Sequence, residues 1–157
     1  MSTPVLMKTS VRDVLAGEGV RIVEPANVYE CALGDHCFVG PFVEIQKGVR
    51  IGARTKIQSH AFVCELVEIG TDCFIGHGVM FTNDVFATGG PARGDRSLWK
   101  TTRIGDRVSI GSNATLLPVS ICNDVVVGAG SVVTRDITVA GIYAGNPARL
   151  IRELPGK

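Results

Sequence analysis

The sequence has few aromatic residues, no excess of charge of one sign and no long apolar run. Phe, Trp and Tyr make up 6% of its 157 residues. The 16 basic and 15 acidic side chains leave a net charge of +1, which excludes the basic footprint of nucleic-acid-binding proteins and a polybasic membrane anchor. No apolar run reaches the roughly 18 residues of a membrane span, and the start, MSTPVLMKTS, has no signal-peptide core. We therefore expect no nucleic-acid or membrane partner.

The cysteines lack the spacing that marks metal or disulfide sites. They are odd in number and contain no Cys-x-x-Cys pair: Cys31, Cys37, Cys64, Cys73 and Cys122. Together with the missing signal peptide, this pattern predicts reduced thiols in a cytoplasmic protein, serving as small apolar residues. We predict no metal site.

β-Branched residues and glycine are in excess. The chain contains 21 Val and 12 Ile against 9 Leu, with 19 Gly. β-Branched side chains favour pleated strands, which argues against an all-helical protein. The length fits a single domain over residues 1–157.

A repeat of six residues runs through most of the chain. Apolar residues recur at nine consecutive positions spaced by six: Leu33, Val39, Ile45, Ile51, Ile57, Val63, Ile69, Ile75 and Phe81. A second column, of small or β-branched residues, follows each of these by four: Cys37, Val43, Val49, Thr55, Ala61, Val67, Cys73, Val79 and Val85. The phase slips by one residue before Leu33, resumes at Ile104 and slips again after Leu116.

This period predicts a triangular parallel β-solenoid. Each hexad supplies a short strand and a corner, so three hexads complete a coil that covers the one below at about 4.8 Å. Both columns face inward, and glycine, which often follows the first, is expected to supply the corner dihedrals. The predicted fold class is all-β, with repeats over about residues 20–86 and 104–137.

Two segments depart from the repeat. Residues 87–103 form a loop too long for a simple connector, and they carry the single tryptophan, Trp99. Such loops are often functional; a decorative loop and a subunit contact are the alternatives. In the tail, residues 138–157, Asn146 and Pro147 resemble a helix cap and first helical residue. We therefore predict a short C-terminal helix that closes the stack.

The pattern [LIV]-G-x-x-[STAV]-x resembles the repeat of the hexapeptide-repeat acyltransferases. The resemblance covers roughly residues 20–152 and implies a left-handed parallel β-helix. Periodicity alone does not give this hand, which breaks the usual crossover rule. The resemblance also implies acetyl-CoA as co-substrate. The segment Gly-Asn-Pro-Ala-Arg, residues 145–149, is similar to one that accompanies coenzyme A binding in that family.

A narrower resemblance lies in the segment SHAFVCELVEIGTDCFIGHGVMFTND, supported by PFVEIQ before it and IGSNATLLP after it. These residues are similar to those of N-acetyltransferases acting on nucleotide-linked 3-amino sugars. The resemblance implies acetylation of a UDP- or dTDP-linked amino sugar for surface-polysaccharide biosynthesis. It also implies a homotrimer with sites between subunits. The loop sequence GGPARGDRSLW fits no one sugar, so the acceptor stays open.

Four residues are candidates for catalysis. Lys47, Glu65 and Asn83 are spaced by 18, which predicts one outward column. An amine with a pKa near about 8 is already partly neutral, so positioning can supply much of the rate. We predict that Asn83 orients the amine, supported by Glu65 and Asp84. His77 is the alternative, as a general base. The competing interpretations are a Glu65–Lys47 ion pair, a turn-forming Asp84 and a packed His77.

Other residues are assigned to the ligands. Acceptor binding is predicted for Glu44, Gln46, Gln58, His60 and Arg93. The last coils are expected to expose small residues, along which a pantetheine arm would lie: Ser109, Ser112, Ala114, Ala129 and Ser131. Beside Asn146 and Pro147, the cations available for the coenzyme phosphates are Arg135, Arg149 and Arg152. Small residues are equally what tight corners require.

Three other functions stay open. An O-acetyltransferase of a sugar or other small acceptor would need a base, which His77 would supply. A non-catalytic scaffold subunit would have lost its ligand sites. A γ-type carbonic anhydrase shares the fold, but that group uses three zinc-binding histidines, two of them close in sequence. Here His36, His60 and His77 are spaced by 24 and 17.

Overall fold

Residues 10–154 form three sheets in the structure, which is a computed structural model, and all strand pairs but the last are parallel. Residues 1–9 and 155–157, the ends of the predicted domain and tail, lie outside the described residues. Sheet A contains β1 (Val11–Arg12), β4 (Asn27–Tyr29), β7 (Glu44–Ile45), β10 (Phe62–Val63), β13 (Met80–Phe81), β16 (Thr115–Leu116) and β19 (Val132–Val133).

Sheets B and C form the other two faces of the triangular solenoid. Sheet B contains β2 (Leu15–Ala16), β5 (Ala32–Leu33), β8 (Arg50–Ile51), β11 (Val67–Ile69), β14 (Thr102–Ile104) and β17 (Ser120–Ile121). Sheet C contains β3 (Arg21–Ile22), β6 (Phe38–Val39), β9 (Lys56–Ile57), β12 (Phe74–Ile75), β15 (Ser109–Ile110), β18 (Val126–Val127), β20 (Gly141–Ala144) and β21 (Arg149–Glu153).

From β1 to β19, successive strands along the chain go to sheets A, B and C in turn, so the chain winds as a solenoid. Paired positions in neighbouring coils are 18 residues apart where the repeat is regular, as for Glu44 and Phe62. The fold is a left-handed parallel β-helix, as the resemblance implied. Within the described residues its coils begin with β1, earlier than the predicted start near residue 20.

The two predicted inward columns form the core. Ile45, Ile57 and Ile75 from the first column are completely buried, as is Val43 from the second. Val85, the last residue assigned to the second column, is instead 41% exposed. The chain leaves the solenoid after β13, so the hexad around Val85 has no strand to hold its side chain inside.

The glycines that directly follow the strands provide space. The predicted corner dihedrals are supplied by other glycines, such as Gly48, Gly78 and Gly130, and not by these. Gly34, Gly52 and Gly70 are absent from the residues with left-handed backbone. A Cβ atom on Gly52 would lie 2.6 Å from the carbonyl carbon of Gly70 in the next coil. The left-handed conformation occurs instead at corner residues such as Arg54 (φ 59°) and Asp72 (φ 55°).

The corner between sheets B and C is linked by ion pairs across the coils. Arg54 donates from Nε and Nη2 to the two oxygens of Asp72, both at 2.7 Å. Arg107 binds Asp124 through Nε at 2.8 Å and Nη2 at 2.9 Å. The hydrogen bonds from Arg54 lower the pKa of Asp72 from its ordinary value of 3.8.

The chain ends in a β-hairpin, so the predicted C-terminal helix is wrong. β21 pairs antiparallel with β20, which itself pairs with β18 of the last coil. All five residues of β21 are exposed, including Leu150 and Ile151, so the segment is held by backbone pairing with β20 and not by packing on the core. The unpaired backbone groups at the open edge of sheet C form hydrogen bonds with a strand, which a helix could not provide. In residues 10–154, no helix is long and apolar enough to cross a membrane.

Thr102→Val should stabilise the fold. The Thr102 hydroxyl is buried and has no hydrogen-bond partner within the described chain, whereas a valine there loses no bond. We expect a gain of about 1 kcal/mol, measured by denaturant unfolding. Thr55→Val is the matched control and should destabilise. The Thr55 hydroxyl donates to Gly70 O at 2.8 Å and accepts from Cys73 N at 3.0 Å. Destabilisation by both changes would contradict the assignment.

Asp72→Asn should lower Tm at neutral pH and have little effect in acid. Asparagine tolerates the left-handed backbone, so the change isolates the charge. A carboxylate with a lowered pKa stabilises the fold above its unfolded value of 3.8. That contribution is lost as the pH falls through the lowered pKa. Thermal unfolding at both pH values tests this, and an equal loss at both would exclude an ionic origin.

Candidate active site

A long loop, residues 84–101, leaves the solenoid at the corner between β13 and β14, here called the A–B corner. Its ends are held together by a hydrogen bond from Lys100 N to Asn83 O at 2.8 Å. Asp84 shapes its first half, accepting from Phe86 N at 2.9 Å and from Ala92 N at 2.7 Å. The structure therefore gives Asp84 a loop-forming contact, in agreement with the turn interpretation.

Beneath the loop, polar side chains of three coils are connected. Asn83 donates from Nδ2 to Glu65 O at 3.2 Å. Gln46 accepts from Glu65 N at 3.3 Å and donates to Glu44 at 2.8 Å. The structure thus brings together four predicted residues, from the catalytic and acceptor groups, along one edge of sheet A.

The carboxylate of Glu65 is paired with the loop. It forms an ion pair with Arg96 of the long loop. Lys47, the cation in the same column, binds Glu30 at 2.6 Å, so the alternative Glu65–Lys47 pair does not form. Loop and solenoid are therefore joined at the carboxylate predicted to support catalysis.

Tyr29 is a residue near this site that sequence reasoning missed. It follows Val28, which pairs with Ile45, so Tyr29 lies one coil from Gln46. Burial raises the pKa of Tyr29, and the nearby carboxylates of Glu44 and Glu65 raise it further. Tyr29 and Gln46 are 17 residues apart because of the one-residue slip before Leu33. A search at a fixed step of 18 therefore does not find Tyr29.

His60 and His77 lie at the opposite edge of sheet A, at the corner between sheets C and A. The ring of His60 stacks on that of Phe42, with centroids 4.9 Å apart and planes at 16°. His77 is exposed, and its carbonyl accepts from Asn113 N at 2.8 Å. The strand β13 separates His77 from Asn83, so the chain does not bring these catalytic candidates together.

The other acceptor candidates are dispersed. Gln58 lies at the corner with His60, where its backbone N donates to Ile75 O at 2.8 Å. Arg93 is exposed on the long loop, with φ 51°. His36 lies at the corner between sheets B and C, away from the other two histidines. Among residues 10–154, no three His, Cys, Asp or Glu side chains are grouped closely enough to hold a metal ion.

The predicted coenzyme wall is only partly exposed. Ala129 is exposed, and Ser109 and Ser112 are half-buried. Ala114 and Ser131 are fully buried, so their predicted exposure is wrong. Both occupy the inward position just before a strand of sheet A, where small side chains fill the corner. Ser131 instead accepts a hydrogen bond from Gly145 N at 3.2 Å and ties the hairpin turn to the last coil.

Two of the three arginines predicted to bind the coenzyme phosphates lie together at the C-terminal end of the solenoid. A small cavity of about 190 Å³ there is lined by residues of the last coil and the hairpin, including Arg135, Tyr143 and Arg149. Arg152 is exposed on β21, outside this lining. Asn146 and Pro147 are exposed in the hairpin turn.

Sheet B carries a groove that the sequence analysis missed. It has a volume of about 730 Å³ and runs along the solenoid from β8 towards residue 138. Glu68 lies between Arg50, at 3.8 Å, and Arg103, at 3.5 Å, on its wall. The 18-residue spacing of Arg50 and Glu68 could have predicted that these two side chains lie on one face. The spacing from Glu68 to Arg103 could not, because the long loop lies between them.

No cysteine near the A–B corner is suited to act as a nucleophile. Cys64 follows β10 and adjoins Glu65, but burial raises the pKa of its thiol to about 12. Burial likewise raises the pKa of Cys31 to about 11. A protonated thiol is a poor nucleophile, so the chemistry available at this corner is orientation by amide and carboxylate groups.

Two hexapeptide-repeat families match the chain. The family described as bacterial transferase hexapeptide (six repeats) matches residues 30–65. The family described as hexapeptide repeat of succinyl-transferase matches residues 101–135. The two matched segments lie on either side of the long loop.

Curated relatives include bifunctional proteins GlmU. That of Rubrobacter xylanophilus is 37% identical over 119 residues, which are 75% of this chain and 23% of that protein. That of Nostoc sp. is 33% identical over 144 residues, which are 90% of this chain and 29% of that protein. The chain therefore spans less than a third of the length of these two relatives.

Solved structures of N-acyltransferases share the fold. A variant of perosamine N-acetyltransferase from Caulobacter crescentus, in complex with CoA and GDP-perosamine, has a TM-score of 0.71 and 26% identity. The match covers 85% of this chain and 57% of that one. AntD, an N-acyltransferase from Bacillus cereus, has a TM-score of 0.78 at 22% identity, covering 90% and 83%. At that identity AntD shows the fold alone.

Fold and repeats together define the chain as a hexapeptide-repeat protein of the left-handed β-helix class. Within that class it resembles the hexapeptide-repeat acyltransferases, and among them the N-acetyltransferases of nucleotide-linked amino sugars.

Asp84→Ala should loosen the long loop and leave the solenoid intact. The change removes the acceptor of the Phe86 and Ala92 amides, so both should exchange hydrogen faster. Asp106→Ala is the matched control. It removes the acceptor of Thr71 N, bonded at 2.8 Å at another corner, and should speed exchange there instead. Unchanged exchange of Ala92 in Asp84→Ala would contradict this role.

Proposed function

We propose that the protein is an acetyl-CoA-dependent N-acetyltransferase that acts on the amine of a nucleotide-linked amino sugar. The observation that carries this proposal is the joining of Glu65 and Asn83, from adjacent coils, beneath the long loop. It is supported by the 26% identity to perosamine N-acetyltransferase, whose structure contains CoA and GDP-perosamine.

The amine is oriented by Asn83 and held near a carboxylate. Asn83 uses its Nδ2 to bind Glu65 O, which leaves its Oδ1 as an acceptor for an amine N–H. Glu65 stabilises the ammonium form on arrival, and the proton is lost to solvent before attack. The neutral nitrogen then forms a bond to the thioester carbonyl carbon. The C–S bond breaks, coenzyme A leaves as its thiolate, and the thiolate takes up the proton that the nitrogen loses as the amide forms. Holding the reactants in this geometry supplies the main part of the rate.

Acetyl-CoA lies along the later coils, with its phosphates near the hairpin. Arg135 and Arg149, which line one small cavity, bind the phosphates. Ser109, Ser112 and Ala129 contact the pantetheine arm. The buried Ala114 and Ser131 contribute through backbone groups only, because their side chains face the core.

The working assembly is a homotrimer with sites between subunits. Two groups of candidates, one around Asn83 and one around His77, lie at the two edges of sheet A. A site that uses both must take one group from a second copy of the chain. The acceptor contacts of Gln58 and His60 then come from the neighbouring subunit, and those of Glu44, Gln46 and Arg93 from the first.

The second candidate is an O-acetyltransferase with His77 as base. The observation that favours it is the exposed position of His77, where its ring is accessible to an acceptor hydroxyl. A hydroxyl is a far weaker nucleophile than a neutral amine, so this reaction depends on the base. The two functions therefore differ in their response to the loss of His77.

The test is acetyl transfer, read by mass spectrometry, to UDP- and dTDP-linked 3-amino sugars and their hydroxyl counterparts. We expect acetylation of an amino sugar alone. Asn83→Ala should lower kcat/KM by about 10- to 100-fold, as for loss of an oriented polar contact. His77→Ala should retain most of the activity, like the control His36→Ala at a distant corner. Transfer to hydroxyls, abolished by His77→Ala, would establish the second candidate. Failure to bind acetyl-CoA, measured by calorimetry, would favour the alternative of a non-catalytic scaffold subunit.

A further inference from the structure

The ion pair between Arg96 and Glu65 joins a solenoid residue to a loop residue. The two side chains differ in burial: that of Glu65 is 16% exposed and that of Arg96 is 56% exposed. The carboxylate is therefore part of the wall at the A–B corner. The guanidinium reaches it from outside and can leave it with little change in the core.

The segment that carries Arg96 is folded on itself. Asp95 caps the short 3-10 turn Arg96–Leu98 through its contact with Ser97 N at 3.0 Å. The guanidinium carbon of Arg96 lies 5.5 Å from the centre of the Trp99 ring. Residues 95–99, here called the strap, thus form a local unit that the Arg96–Glu65 pair fastens to the solenoid.

The first half of the long loop is fixed separately from the strap. Asp84 binds the amides of Phe86 and Ala92, so that half stays attached when the strap moves. Between the two lies Gly94, which has φ 91° and no heavy atom within 4 Å of a Cβ built on it. A glycine in open space can absorb a backbone rotation, so it can serve as a hinge.

Release of Arg96 leaves a largely buried carboxylate in need of a cation. The nearest cation in the same column, Lys47, is held by Glu30 at 2.6 Å. An unpaired buried charge is costly, so the carboxylate favours any positive group that fits beside it. Asn83, bonded to the backbone of Glu65, places a polar side chain at the same point. An ammonium group suits this position, and a neutral hydroxyl does not neutralise it.

We propose that Arg96 pairs with Glu65 at the position that the acceptor's ammonium group takes when it binds. The strap therefore stays closed until a cationic acceptor displaces Arg96 from Glu65. The exchange selects amines over hydroxyls, because only a cation can replace the guanidinium without leaving Glu65 unpaired. This inference rests on the proposed function and adds to it the means by which the acceptor is chosen.

Trp99 reports the state of the strap, because it is the single tryptophan of the chain. Quenching of its fluorescence by acrylamide should rise about twofold in Arg96→Gln and in Glu65→Gln, since each breaks the pair. Lys100→Gln removes a neighbouring loop charge without touching Glu65 and should match the wild type. Arg96→Lys keeps the charge and should restore the lower quenching. A dTDP-linked 3-amino sugar should raise quenching in the wild type, and its 3-hydroxy counterpart should not.

Kinetics separate the strap from a merely structural contact. Arg96→Gln should lower KM for the amino sugar by about two- to fivefold, the value of one partly exposed ion pair, with kcat little changed. Glu65→Gln should raise KM by about tenfold or more, since it removes the acceptor's counter-charge. Two variants that open the strap equally are thus expected to change KM in opposite directions.

Equal quenching in the wild type, Arg96→Gln and Glu65→Gln would overturn the proposal. So would a rise of KM in Arg96→Gln, which would mean that Arg96 binds the acceptor directly. Absence of acetyl transfer by the wild type would count against the proposed function itself. Because the quenching experiment on the variants needs no acetyl transfer, the two failures are distinguishable.

Discussion

The whole structure depends on the hydrogen-bonded contact between one coil and the next. Strands of two or three residues cannot hold a fold together singly, and here all but the outermost strands of the three sheets are paired on both sides. Contact at this distance leaves no room for side chains at certain positions, as the 2.6 Å approach at Gly52 illustrates. Glycine after the strand is therefore a requirement of stacking, and the strain of the corners is carried by other residues.

Stacking also explains how a long insertion leaves the coils undisturbed. Val67 pairs with Thr102 although 35 residues separate them, and Ile69 pairs with Ile104 in the same strands. The loop begins and ends at one corner, so its contents are free to vary without any change in register. This is why the solenoid can carry a site: the coils supply Glu65 and Asn83 at fixed spacing, and the loop supplies Arg96.

Sheet A separates the candidate residues into two groups. The width of a two-residue strand with its corners places Asn83 at one edge and His77 at the other. Within one chain, a site that orients an amine through Asn83 therefore lies at one edge of sheet A, and a site that uses His77 as a base lies at the other edge. Assembly of several copies is the step that can bring opposite edges together, which connects the chemistry of the site to the oligomeric state.

The candidate site was only partly predictable. Glu65 and Asn83 could be placed together because both follow the regular step of 18. Tyr29 was missed because a one-residue slip breaks that step. The terminal helix was predicted from Asn146 and Pro147, but the open edge of sheet C pairs with a strand instead. Local signals cannot report what an unpaired edge will bind.

The sequence by itself determined the solenoid, its inward columns and the position of the loop. These depend on contacts at a constant separation of six and 18 residues, which a repeat displays directly. Only the tertiary structure decided that Arg96 binds Glu65 and that the chain closes in a hairpin. Such contacts join segments at irregular separations, and geometry in space, rather than spacing along the chain, selects them.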